Sequence, residues 1–166
     1  MIKEGENKKM ELTALIMDNR TKKVKQFSLP VDLEYVASEF GYDVEDVSTT
    51  IQSIEELPDL DVERSPLFVF NELAENLEDV DEDIVLSFIE SESSDPKYLA
   101  NAEFDDCFLY PDIGTDRELG EYLVEEVGLE LSKETLLRYI DYEKMGRDVR
   151  LEEGGSFVNR GYFVSL

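Results

Sequence analysis

Apolar and polar residues alternate over Glu11–Met17 and again over Lys22–Leu29, with the turn formers Asp18-Asn19-Arg20-Thr21 between them. A period of two marks strands with one buried face, so the pattern predicts an antiparallel strand pair. Pro30 stops the second strand, because it has no N–H for a ladder. The period then changes. Leu33, Val36, Ala37 and Phe40 recur at helical spacing behind Asp32, a favoured N-cap residue, and Gly41 stands where such a helix would stop. Val47–Ile54, rich in Thr, Ile and Val, predicts a third strand.

From Phe70 to about Ala102 the spacing predicts helices. Leu73, Leu77 and Val80 form one stripe, and Ile84, Val85, Phe88 and Ile89 another; Ser91–Pro96 is turn-like, and Tyr98–Glu103 predicts a further helical turn. Asp106–Tyr110 predicts a short strand. Thr115-x-x-Glu118 has the form of a capping box, opening a helix with Leu119, Tyr122, Leu123 and Val127 on its apolar face and Gly128 at its end. Ser132 is placed to cap a second helix, with Leu136, Leu137, Tyr139 and Ile140 inside and Gly146 as its stop. Asp148–Leu151 and Phe157–Leu166 predict a closing hairpin around Gly154-Gly155. The expected fold class is α+β, an elongated chain of three small modules. These are an N-terminal sheet-plus-helix module (1–61), an acidic helical module (62–103) and a C-terminal α+β module (104–166). Pro58 and Pro66 bracket the acidic connector between the first two.

The 166 residues are 42% hydrophobic, with nine Phe and eight Tyr, enough apolar material to fold. The single cysteine, Cys107, excludes an internal disulfide and reads as a small semi-buried side chain. No apolar run is long enough to span a bilayer, and no signal peptide is visible, so the expectation is a cytoplasmic protein without a membrane partner. Histidine is absent, which removes the commonest acid–base group, any Ser–His–Asp or Cys–His arrangement, and any Cys/His zinc site. No P-loop, G-x-G-x-x-G or G-x-S-x-G pattern occurs. Asp79, Asp81, Asp83 and Glu90 imitate positions 1, 3, 5 and 12 of a calcium loop, but Ile84 stands where the turn needs Gly. An acid-rich helix start, favoured by the helix dipole, accounts for them. The expectation is a protein that is not an enzyme and holds no metal or cofactor.

The charge is what remains, and it is regional. The net charge is −25, yet residues 1–30 carry seven Lys/Arg against four Asp/Glu, residues 31–134 four against thirty-two, and residues 135–166 five of each. Between Gln26 and Glu63 there are eleven Asp/Glu and no Lys or Arg; between Ser65 and Pro96 there are ten and again none. Like charges recur at helical neighbours, as in Glu78/Glu82 and Asp79/Asp83, and each such pair costs about 0.2–0.5 kcal/mol on an exposed helix. Compaction of the chain is opposed by this repulsion, which points to a surface required to be negative. Direct binding to nucleic acid is disfavoured, because phosphates are neutralised by Lys and Arg. The partner such a surface fits is a site built to hold nucleic acid.

The candidate phosphate-mimic residues follow the basic-free stretches. In the first module they are Asp32, Glu34, Asp43, Glu45, Asp46, Glu55, Glu56, Asp59 and Asp61. In the second they are Glu72, Glu75, Glu78, Asp79, Asp81, Glu82, Asp83 and Glu90. In the third they are Asp112, Asp116, Glu121, Glu125 and Glu126. Two copies of the central region would match the phosphate charge of about 30 base pairs, or on the order of 100 Å of duplex. A ball with a radius of gyration of roughly 15 Å cannot spread the charge at that spacing, so the match requires an extended molecule.

Several segments resemble the ArdA antirestriction family. Leu29-Pro30-Val31-Asp32-Leu33-Glu34 with Val36 resembles its P-V-D-x-E-x-V segment, and Asn71–Glu78 its N-x-L-A-x-x-L-E helix. Phe108–Asp112 resembles its Y-P-D segment, and Leu119–Gly128 the antirestriction motif, with Val127 where Thr is frequent. Tyr139–Asp148 resembles the Y-I-D-Y-E-x-x-G-R-D block, and Gly161-Tyr162 the closing G-Y. The Lys-rich start, with Lys22, Lys23 and Lys25, departs from the family's acidic character. The resemblance implies a homodimeric DNA mimic that occupies the DNA groove of a type I restriction–modification enzyme, formed by its specificity and modification subunits. It also implies dimerisation through the C-terminal module, where Leu119, Tyr122, Leu123 and Val127 are the motif and interface candidates. The rival class is an acidic chaperone for basic nucleic-acid-binding proteins, which would use the same charge without DNA-like spacing.

Overall fold

The computed structural model describes residues 10–126 and 132–165. The chain forms two compact units, Met1–Ala102 and Glu103–Leu166, both mixed α+β.

In the first unit, strands β1 (Thr13–Asp18), β2 (Val24–Ser28) and β3 (Thr49–Ile54) form an antiparallel sheet in the order β2-β1-β3. The central strand keeps its sequence alternation: Ala14, Ile16 and Asp18 are buried while Thr13, Leu15 and Met17 are half-buried. Helix α1 (Leu33–Phe40) follows. Asp32 occupies its N-cap position without a side-chain cap bond, and Gly41 (φ 83°) ends it in the left-handed conformation that glycine adopts without a Cβ penalty. Val36 and Ala37 are buried, but Leu33 is 42% exposed. As the first helical residue it leans back beyond the buried stripe, which corrects the expectation for that face.

Helix α2 (Leu67–Leu77) starts directly after Pro66, one turn earlier than the spacing predicts. Its first turn is the apolar run Leu67–Phe70. Val69, Phe70, Leu73 and Leu77 are buried, whereas Phe68 is exposed. Helices α3 (Glu82–Ser91) and α4 (Pro96–Ala100) start at Asp81 and Asp95, whose carboxylates accept the N–H of Asp83 and Lys97 at 3.0 and 2.9 Å. Asp81 is therefore a helix cap, as the acid-rich helix start predicts.

In the second unit, β4 (Cys107–Tyr110), β5 (Ser156–Val158) and β6 (Gly161–Ser165) form an antiparallel sheet in the order β4-β6-β5. Helices α5 (Asp116–Glu126), α6 (Lys133–Tyr139) and α7 (Tyr142–Glu153) complete it. Two expectations fail here. Gly146 does not end a helix but sits buried inside α7, and Asp148–Leu151 is not a strand but the continuation of that helix. Asp141 caps α7 by accepting the Lys144 N–H at 2.9 Å, and the i,i+4 pair Glu143–Arg147 supports its first turns. The chain therefore restarts a helix at Tyr142 instead of ending one at Gly146. The hairpin lies further on, β5 to β6, with Val158 facing Gly161 across Asn159-Arg160; Gly154 (φ 70°) is the C-cap of α7. Leu137, expected inside α6, is 58% exposed. Val127, Gly128 and the side chains of Leu136 and Tyr139 lie outside the described residues.

Candidate functional site

The helix that carries the antirestriction-like segment is built as its sequence indicates. Thr115 is the N-cap of α5; its hydroxyl accepts the Glu118 N–H at 3.2 Å and donates to Glu118 Oε2 at 3.0 Å. The same oxygen accepts the Gly114 N–H at 2.8 Å. These donors, led by the Gly114 amide, hold the Glu118 carboxyl below its ordinary range. On the inner side, Leu119 is buried with Ile113 and Tyr162, and Leu123 is half-buried against that cluster with Tyr110 and Phe157. Val124 is buried with Tyr142. Tyr122 remains 36% exposed and packs on Tyr110, with ring centroids 5.3 Å apart and planes tilted by 54°.

The glycines of the two longest family-like segments meet in space. A Cβ on Gly120 would land on the backbone carbonyl of Tyr142, and one on Gly146 on the carbonyl of Asp116. The α5 and α7 backbones therefore touch where both residues lack side chains. Beside this crossing, Asp116 Oδ1 accepts from Arg150 Nε at 3.0 Å and Oδ2 lies 3.6 Å from Arg147 Nε. Asp116 is only 17% exposed, so this candidate mimic acid is taken up inside the unit. Tyr162 donates to Glu153 at 3.1 Å, and burial pushes its phenol far above the usual range.

The first unit treats its acids differently. Asp32, Glu34, Asp43, Glu45, Asp59, Glu72 and Glu75 are exposed and enter no ion pair among the described residues. Asp61, Glu78, Asp79, Asp83 and Glu90 are exposed as well, and Asp81 and Glu82 half-buried. Glu56 is half-buried and accepts the Thr13 N–H at 2.7 Å; Glu55 accepts from Gln26. Asp46 lies 3.9 Å from Arg20. In the second unit Asp112, Glu125 and Glu126 are exposed, with Glu125 3.6 Å from Lys133; Glu121, half-buried, pairs with Arg117 at 2.9 Å.

Two asparagines missed from the sequence tie segments of the first unit together. Asn71 on α2 accepts the Val31 N–H at 3.0 Å and donates to the Val31 carbonyl at 2.9 Å. The family-like P-V-D segment and the N-x-L-A helix thus bind each other through Val31 and Asn71, the residues that precede Asp32 and Glu72 in the chain. Asn76 donates to the carbonyls of Leu99 and Ala102 at 2.9 and 3.0 Å. A polar residue inside an otherwise periodic helix stripe is the only signal that marks them in sequence.

Among the described residues no group of three or more acidic or cysteine side chains is arranged to hold a metal ion, and no helix is long and apolar enough to cross a membrane. Most of the candidate carboxylates are exposed, whereas Asp116 and Glu56 are bonded inside their units. The family model for antirestriction protein ArdA matches residues 18–164, and the chain belongs to that family. No curated protein matches it. Membership of an antirestriction family implies interaction with restriction enzymes.

Proposed function

We propose that the protein inhibits type I restriction–modification enzymes by competitive occlusion. Its carboxylates stand in for phosphates in the groove that the specificity and modification subunits form around duplex DNA. The array comprises the acids of residues 1–61 and 62–103 and the exposed face of α5, presented by a homodimer joined through the C-terminal module. The observation that supports this reading is the set of exposed acids Asp32, Glu34, Asp43, Glu45, Asp59, Glu72 and Glu75, which enter no ion pair among the described residues, in a stretch where only Arg64 and Lys97 offset twenty-one Asp/Glu over residues 26–102. Exposed Tyr122, Leu137 and Leu151 in the second unit supply apolar area for pairing two copies.

Each exposed ion pair contributes about 0.2–1 kcal/mol, so strength comes from number, from release of condensed ions and from steered encounter. The test is inhibition of a type I enzyme, titrated against salt and against a linear duplex competitor. Inhibition that falls steeply with salt, and that duplex DNA relieves at low stoichiometry, supports occlusion. Indiscriminate binding to many basic proteins, with no displacement of the enzyme from DNA, supports the acidic chaperone instead.

A further inference from the structure

Four of the six Lys and Arg among the described residues of the first unit gather at one hairpin. Arg20, Lys22, Lys23 and Lys25 lie in and beside the β1–β2 turn and all are exposed, whereas the next Lys or Arg along the chain is Arg64. Asp18 builds this turn. It is 1% exposed, and its carboxylate accepts the N–H groups of Arg20 and Thr21 at 3.0 and 3.2 Å, the Thr21 hydroxyl, and the Tyr42 phenol at 3.2 Å. The Asp18 N–H donates to the Lys23 carbonyl at 2.9 Å and the Lys22 N–H to the Asp18 carbonyl at 2.8 Å, closing the loop.

Two of the four cations are engaged within the unit. Arg20 reaches Asp46 and lies over the Tyr42 ring at 5.2 Å; Lys25 lies 3.3 Å from Glu39 and over the Phe40 ring at 5.7 Å. The Lys22 and Lys23 side chains form no bond or ion pair among the described residues. Lys22 also has φ 61°, in the left-handed region where glycine is the low-energy residue. The turn thus keeps a charged side chain at a position where it strains the backbone, and such strain concentrates at functional positions.

We infer that Lys22 and Lys23 form a second contact with the target enzyme, docking on acidic side chains that border its cation-lined DNA track. The inference rests on the occlusion reading. A track that attracts rows of carboxylates repels two ammonium groups, so the hairpin lies outside the track when the acids lie within it. Two unpaired ammonium groups on a rigid turn complement a pair of carboxylates, and such complementarity fixes register between partners. Duplex DNA is the less fitting occupant, because a net charge of −25 repels phosphates.

The test exploits opposite signs. If charge mimicry were the whole interaction, Lys22→Glu/Lys23→Glu would tighten inhibition by adding negative charge. The docking contact predicts that this double variant inhibits about tenfold less well, and Lys22→Gln/Lys23→Gln about threefold less well. Lys97→Glu, an exposed position without an ion pair among the described residues, should inhibit as well as wild type or better. Lys22→Gly should hold or raise the thermal midpoint while weakening inhibition, which a merely structural lysine would not do. Undiminished inhibition by the double Glu variant overturns the proposal. So does a gel shift showing that wild type, but not the double Gln variant, binds duplex DNA alone. Wild-type inhibition that duplex competitor fails to relieve sinks occlusion itself, an outcome separate from these variants.

Discussion

The two units spend their carboxylates in opposite ways. Glu103–Leu166 sets sixteen Asp/Glu against seven Lys/Arg and uses them to build: Asp116 binds Arg147 and Arg150, Glu143 binds Arg147, Glu121 binds Arg117 and Glu134 binds Arg138. Met1–Ala102 sets twenty-five against nine, and the pairs Arg20–Asp46 and Lys25–Glu39 take their cations from the β1–β2 hairpin. Beyond the hairpin, the first unit stitches its segments together with neutral groups, Asn71 and Asn76, and spends Asp81 and Asp95 on helix caps. Charge that closes no internal pair remains available to a partner. Removal of acids should therefore cost stability in one unit and inhibition in the other.

The largest effect belongs to the α5–α7 crossing. Gly146→Leu forces a side chain into the Asp116 carbonyl; the second unit should lose well over about 3 kcal/mol or fail to fold, read by thermal or urea unfolding. Asp116→Asn comes next. It leaves Arg150, itself 26% exposed, without its counter-charge and should cost about 1–3 kcal/mol by urea unfolding. An unchanged midpoint would break the comparison, because acids in the second unit would then be as dispensable as those in the first. Asn71→Ala should cost about 1–2 kcal/mol, by loss of both bonds to Val31. It should also weaken inhibition, since the P-V-D and α2 acids lose their common support.

Conversion of Asp32, Glu34, Glu72 and Glu75 together to amides should leave the unfolding midpoint unchanged or slightly raised, while inhibition falls by about tenfold or more. Loss of stability with inhibition intact would invert the assignment. Glu75→Gln alone should change inhibition less than about fivefold, because no single pair dominates. Acid pH sharpens the contrast through Asp18. The Thr21 hydroxyl above all, with the Arg20 and Thr21 amides and Tyr42, lowers its pKa against the opposing effect of desolvation, so its contribution is fully present above the ordinary aspartate range. That contribution is lost as pH falls through the lowered folded value. Asp18→Asn should remove this part of the acid sensitivity of the first unit, measured as midpoint against pH below about 4.

What the sequence disclosed depended on whether a signal was local. The β1–β2 pair, Gly41 as a stop and the Thr115–Glu118 box are set by neighbours within a few positions, and the structure shows each of them. Regional charge was equally legible, because it is a count. Gly146 misled for a physical reason. Glycine after a helical run usually marks a C-cap, but here it answers a backbone in α5, some thirty positions away along the chain. Leu33 and Leu137 share apolar chemistry with their buried neighbours, and only packing decides which of them faces solvent. Asn71 and Asn76 interrupt a helical stripe without telling what they bind, since their partners are main-chain groups of distant segments.

The α5–α7 crossing has a consequence for how such a chain can drift. A row of exposed acids tolerates exchange one member at a time, since only the total matters. The two places where main chain rests on main chain tolerate nothing larger than hydrogen. Lineages descended from this protein could therefore scatter nearly every carboxylate and still be recognised by a pair of residues that carry no charge.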